Sequence, residues 1–152
     1  MINDNIHSSR APEPVGAFPH AKRVGNLLFL SGIGPRKRGS KEIPGVTLRA
    51  DGTIESYDIA VQCRACFDNV RYVLEDAGSA WGNIVDVTVF LTNMKDDFAI
   101  YNKLYAEYFA GPPNPSGSAV GSGKPNPTRT TLEINCLPTP IAIELKVIAT
   151  IG

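Results

Sequence analysis

The chain has 152 residues, 43% of them hydrophobic, 8% aromatic and 20% charged, enough for one domain with a core of its own. Fifteen basic residues balance fifteen acidic ones, which argues against a polyanionic partner such as nucleic acid or a membrane surface. No apolar run approaches the roughly 20 residues of a membrane helix, and the polar Met1–Arg10 stretch lacks a secretory core, so a cytoplasmic protein is expected.

In chain order, residues 1–13 read as a loose tail. The short apolar run Asn26–Gly32 predicts a buried strand. A basic, Gly/Pro-punctuated loop follows over Lys37–Gly45. Val46–Glu55 then predicts a strand region folded back at the Asp51-Gly52 turn. From Tyr57 to Ala77, Ile59, Cys63, Cys66, Phe67, Val70, Val73, Leu74 and Ala77 recur at the spacing of one helical face. Ser56 is the expected N-cap and Gly78 the residue past the last turn.

The β-branched run Ile84–Thr92 predicts a central strand, with Val85, Val87, Val89 and Leu91 on one side. Asp96–Ala110 is the second helix, turning Phe98, Tyr101, Leu104, Tyr105 and Tyr108 or Phe109 inward. Gly111–Pro127, with nine Gly or Pro among seventeen residues, reads as a long surface loop. A final pair of strands, Thr128–Cys136 and Ile141–Thr150, is joined by Leu137-Pro-Thr-Pro140 as a hairpin. The order β-β-α-β-α-β-β describes an α+β domain, a mixed sheet with two helices on one face. The other sheet face is semi-polar with embedded apolar residues, which suits a contact between copies of the chain, hence a homo-oligomer.

The zero charge is a sum of unequal halves. Arg10–Arg49 holds eight basic and two acidic residues, whereas Asp51–Glu107 holds ten acidic and four basic ones. Two oppositely charged surfaces would serve solubility or subunit docking; a basic mouth would receive a small anion. Cys63-Arg-Ala-Cys66 spells C-x-x-C inside the predicted helix rather than at a helix start, and no second Cys or His pair completes a metal site, so core packing is expected. Cys136 ends a predicted strand without an evident base. In the last two strands, Arg129 and Glu144 lie on faces opposite to the apolar stripes. They form either a structural pair between strands or a carboxylate-gripping arginine beside a water-activating glutamate.

Val15-Gly-Ala-Phe-Pro-His20, Leu30-Ser-Gly32, Asp68-Asn69-Val70, Val87–Leu91, Phe98–Asn102, Pro127-Thr-Arg-Thr-Thr131 and Ile143–Ala149 together resemble the Rid (YjgF-type) enamine/imine deaminase family. The resemblance runs in order from about Ala11 to the C-terminus. It implies a chorismate-mutase-like subunit, a homotrimer with sites between subunits, and chemistry without metal or organic cofactor. Carried over by position, it implies that Arg129 binds the substrate carboxylate and Glu144 positions the hydrolytic water, with Ser31 and Asn102 at the cleft. Phe18 stands where the family pattern carries a tyrosine. The Phe18-Pro-His-Ala-Lys-Arg23 stretch, followed by Leu28–Gly32 and Arg36, is similar to the 2-aminomuconate deaminase branch. That likeness implies a dicarboxylate substrate from aromatic catabolism, its far carboxylate meeting His20, Arg23 or Arg36. Alternatives are a broad deaminase for 2-iminobutanoate-like or 2-iminopropanoate-like compounds and a non-enzymatic trimer that binds small carboxylates.

Overall fold

A computed structural model describes residues 1–110 and 126–152. Eight strands and two helices follow in the order β1 (Asn3–Ile6), β2 (Ala21–Val24), β3 (Leu27–Leu30), β4 (Val46–Leu48), β5 (Ile54–Tyr57), α1 (Ile59–Asp76), β6 (Ile84–Leu91), α2 (Met94–Ala110), β7 (Thr128–Glu133) and β8 (Ile143–Thr150). A single 3-10 turn, Trp81–Asn83, leads into β6. Six strands form one sheet in the order β1-β2-β3-β8-β6-β7, and β4 and β5 form a separate hairpin. The chain is therefore the α+β architecture expected, with α1 and α2 on one face of a mixed sheet.

The residues predicted for the inner face of α1 are the ones that vanish from solvent. Cys63, Cys66, Phe67, Val70, Val73 and Leu74 are fully buried and Ile59 nearly so. The helix starts later than Ser56 implies, because Asp58 caps it: its Oδ1 accepts from the Ala60 and Val61 N–H groups. At the other end Gly78 sits at φ +79°, beyond the C-cap Ala77. Two polar side chains are buried within the apolar stripe. Gln62 donates to Pro44 O and accepts from Ala142 N–H, and Asn69 donates to both Gly34 O and Arg36 O. These bonds tie α1 to the loops that build the pocket described below.

The second helix begins two residues before Asp96, since the Asn93 side chain accepts from Asp96 N–H and caps it. Tyr101, Leu104, Tyr105 and Phe109 are buried, but Phe98 is 37% exposed rather than inward. In β6 the expected grouping also fails at one position: Val85 is exposed and Ile84 buried, because the pairing with β8 shifts register between Ile84 and Asp86. A bulge of this kind switches the face on which the preceding side chains point.

Three expectations about the ends of the chain need correction. Residues 1–13 are not a loose tail: Asn3–Ile6 pairs antiparallel with Ala21–Val24, which in turn pairs with β3 across the Gly25-Asn26 turn. Thr128–Cys136 and Ile141–Thr150 do not make a hairpin. β6 lies between them, parallel to β7 and antiparallel to β8, with α2 providing the crossover. Strand β7 stops at Glu133, so Cys136 lies past its end, where it is exposed. The loop expected over Gly111–Pro127 falls, for residues 111–125, outside the described residues.

The helix-free sheet face carries Leu27, Phe29, Phe90, Leu132 and Ile148 among Thr88, Thr130, Glu144 and Lys146, in agreement with the semi-polar mixture expected. Among the described residues, no helix is long and apolar enough to cross a membrane.

Candidate functional site

Two sites emerge from the residues singled out in the sequence, on opposite faces of the sheet. In-register neighbours in a sheet point to the same face. Arg129 is level with Val87 and through it with the buried Val147, on the face covered by the helices. Glu144 is level with Phe90, on the uncovered face. Arg129 and Glu144 are thus neither the structural pair nor the adjacent couple that strand alternation predicts, because β7 presents Arg129, Thr131 and Glu133 to α2 and turns Leu132 outward.

The first site is a pocket of about 230 Å³ beside Glu144. Its floor comes from the chain just past β3. There Ile33 exchanges both backbone hydrogen bonds with Leu145, which brings Gly32 against the Glu144 side chain. A Cβ on Gly32 would stand 2.9 Å from the Glu144 carboxyl carbon. Gly32→Ala is therefore expected to displace the carboxylate and lower activity while leaving the fold intact, checked by comparing turnover with the far-ultraviolet circular dichroism spectrum. Turnover equal to wild type would show that the carboxylate's position is immaterial.

Ser31 continues the β2–β3 pairing through its N–H to His20 O, and its hydroxyl donates to Pro19 O. The opposite wall is the N-terminal stretch, including Pro12, Pro14 and Val15, and Phe18 lies beside it. His20 lines the pocket but is occupied: Nδ1 accepts from Ser8 N–H at 3.0 Å, so Nε2 carries the hydrogen and donates to Pro12 O at 2.8 Å. Arg36 also lines the pocket, its loop held by Asn69 and its guanidinium donating to Glu13 O at 2.7 Å. Arg23 does not reach the pocket; its Nε–H donates to Gly25 O at the β2–β3 turn.

Burial raises the affinity of the Glu144 carboxyl for its proton, and the positive charge of Arg36 works against that rise. A Glu144 that must be ionised to act will therefore lose activity on the acid side at a pH above the ordinary carboxylate range. Removing the charge of Arg36 is expected to move that limb further up. A pH–rate profile of wild type and Arg36→Gln checks both shifts.

The second site is built on α2. The Arg129 guanidinium lies 4.6 Å from the ring centre of Tyr105 and 5.4 Å from that of Tyr101, and donates to Asn102 Oδ1 at 2.9 Å. Two aromatic faces and one amide hold the fork in place without neutralising it. No carboxylate lies within ion-pair distance of Arg129 among the described residues. Asn102 was legible as a site residue; the tyrosines were assigned only to the core, although their spacing of four on the helix that carries Asn102 brings them together. Cys63 and Cys66 are buried and take no part: burial pushes the Cys63 thiol up to about 12, and that of Cys66 well above its usual range. Among the described residues, no cluster of His, Cys, Asp or Glu could hold a metal ion.

Comparison with known proteins places the whole chain in one family. Residues 8–151 match the family model described as Endoribonuclease L-PSP. A RutC family protein of Pyrococcus abyssi is 32% identical over 149 residues, 98% of each chain. One from Haemophilus influenzae is 30% identical with the same coverage. Among solved structures, the YjgF gene product of E. coli superposes with a TM-score of 0.76 at 28% identity, covering 97% of this chain and 98% of its own. E. coli TdcF, solved with bound serine, gives 0.76 at 27% identity, covering 98% and 99%.

Proposed function

Because the chain belongs to the Endoribonuclease L-PSP family, which includes the RutC and YjgF proteins, we propose that it hydrolyses the carbon–nitrogen bond of an enamine or imine bearing a carboxylate, with 2-aminomuconate as its substrate in aromatic catabolism. The observation that carries this reading is that one chain presents both an un-neutralised arginine fork, on the α2 side of the sheet, and a half-buried glutamate in a small pocket on the other side. A pocket of about 230 Å³ is below the usual 300–1,000 Å³ of drug-sized ligand sites and suits a small acid. A net charge of zero speaks against the RNA substrate that the family model's description names. Serine bound to TdcF is a small carboxylate of the kind this reading requires.

Arg129 and Glu144 reach one substrate if the site is completed by two copies of the chain, the Arg129–Asn102 edge of one meeting the Glu144 pocket of its neighbour. The uncovered sheet face, with Phe29, Phe90, Leu132 and Ile148, supplies apolar surface for that contact. A homotrimer is the assembly proposed.

The chemistry follows from the groups present. The enamine takes a proton at carbon and becomes an iminium ion. Glu144 holds a water and accepts its proton as the oxygen attacks the iminium carbon. The protonated Glu144 returns that proton to the carbinolamine nitrogen, and ammonia leaves as the C–N bond breaks and the hydroxyl releases its own proton to solvent, which balances the proton first taken up at carbon and leaves a 2-oxo acid. Arg129 grips the carboxylate beside that carbon through two parallel hydrogen bonds and so aims it at the water. Phe18 supplies no proton and the Ser31 hydroxyl already donates to Pro19 O, so water carries the proton relay on that side.

Freshly generated 2-aminomuconate and 2-iminobutanoate, each incubated with the protein, test the reading through ammonia release. Release of ammonia from 2-aminomuconate well above the spontaneous rate is expected. Acceleration of 2-iminobutanoate alone would make the protein a general imine deaminase. Acceleration of neither, with small carboxylates still bound, would make it a binding protein.

A further inference from the structure

Four of the eight Lys and Arg side chains in the first third of the chain, and one histidine, are already committed. Arg10 is ion-paired with Glu75 and Asp76, and Arg38 with Glu13. Arg23 and Arg49 turn back on backbone carbonyls of their own hairpins. His20 uses both ring nitrogens on the N-terminal stretch. Arg36 is the one Lys or Arg among the described residues that lines the Glu144 pocket, and it has no carboxylate within ion-pair distance.

Its position is fixed from behind. Asn69 of α1, itself only 6% exposed, donates to Gly34 O at 2.9 Å and to Arg36 O at 2.7 Å. One guanidinium N–H is spent on Glu13 O, which sets the fork's direction. A guanidinium has five such donors, so most of the fork remains available to a ligand. It shares the pocket lining with the apolar side chains Pro12, Pro14, Val15 and Phe18. A substrate with one carboxylate, held by Arg129, leaves this second fork unused.

We propose that Arg36 is the specificity-determining residue of this site, binding a second anionic group at the end of the substrate remote from Arg129 and so selecting dicarboxylates over monocarboxylates. This rests on the deaminase reading for the identity of the substrate, but its binding consequence is separable from turnover. Glu144, also in the pocket lining, carries the opposite charge, so the anion must approach Arg36 from the side away from that carboxylate. The elongated substrate then lies across the pocket with its reacting carbon between the two arginines.

Calorimetric titration of the assembled protein with muconate and with sorbate tests this directly. Both are six-carbon dienoates, and they differ in the second carboxylate. Wild type is expected to bind muconate at least about tenfold more tightly. Arg36→Gln keeps a donor for Glu13 O but loses the charge; it should bind the two ligands equally, with sorbate affinity unchanged within about twofold. Arg36→Lys keeps the charge without the planar fork and should fall between. It is the variant to read if Arg36→Gln does not fold.

A wild-type protein without preference for muconate overturns the proposal. So does an Arg36→Gln protein that weakens both ligands alike, since that is the signature of a wall residue. A muconate preference that vanishes with Arg36, in a protein that deaminates nothing, would sink the deaminase reading and leave this one standing. Deamination with a muconate preference that survives Arg36→Gln would do the reverse.

Discussion

Arg129→Ala and Glu144→Gln, each tested alone, should lower kcat/KM for the imine substrate by about 10²- to 10³-fold, the first through lost orientation and the second through lost proton acceptance. Neither change touches the other's surroundings, because the two side chains occupy opposite faces of the sheet. The decisive result comes from combining them. If the reacting centre is shared between copies, co-expression of the two variants with different affinity tags produces mixed assemblies. Some of their sites then draw an intact arginine from one copy and an intact glutamate from its neighbour. For random mixing of equal amounts, about a quarter of sites are whole, and activity should recover to roughly that fraction of wild type. A mixture as inactive as its parents would mean that each copy completes its own site, and the assembly proposed above would be wrong.

The second large effect is on stability. Phe67→Ala is expected to cost about 3–5 kcal/mol, as large aromatic-to-alanine changes in a closed core do. Phe67 is fully buried at the middle of α1, with its ring 4.7 Å from that of Tyr108, 6.1 Å from Trp81 and 6.4 Å from Tyr105. For a chain of this length that corresponds to a fall in Tm of roughly 10 °C, measurable by calorimetry or by urea titration. A loss below about 1 kcal/mol would mean that the surrounding rings collapse into the space, contrary to their edge-to-face packing. Because Tyr105 also lies under the Arg129 guanidinium, the substitution should loosen the arginine's seat and weaken substrate binding in the folded fraction.

These outcomes show which parts of the molecule could be read from the residues and which could not. The helical stripe from Ile59 to Leu74 was legible because burial repeats at the helical period and is dictated by apolar side chains alone. Arg129, Asn102, Glu144, Ser31, Phe18 and Arg36 stand out as candidates because their local patterns resemble a family. Their distribution over two faces was not legible. It depends on β6 coming to lie between β7 and β8, a choice made by tertiary packing, and strand alternation cannot see a parallel crossover through α2. Strand β1 escaped for a different reason. Asn-Asp-Asn-Ile has no apolar alternation, since an edge strand is held mainly by backbone hydrogen bonds to one neighbour. The β2–β3 turn did carry a signal, a Gly-Asn pair between two strand-like segments. Cap positions at Asp58 and Asn93 moved each helix start by a few residues, because several oxygen-bearing side chains near a helix start compete for the same N–H groups.

The N-terminal stretch has a bearing on how this chain can be handled and altered. The Ser8 hydroxyl donates to Asp76 and accepts from the N–H groups of Arg10 and Ala11, while Arg10 grips Asp76 and holds its carboxyl below the usual range. Arg38 adds bonds to Ser8 O and Ala11 O. The stretch is therefore riveted to the last turn of α1, and its far end forms one side of the pocket. Trimming the chain to Ala11 would remove the rivets and leave that side unsupported. Extensions added ahead of Met1 meet open solvent instead, since Met1 is fully exposed. Support for the Glu144 pocket thus begins, in effect, at residue 8, and the chain's safe point of attachment lies a few residues earlier.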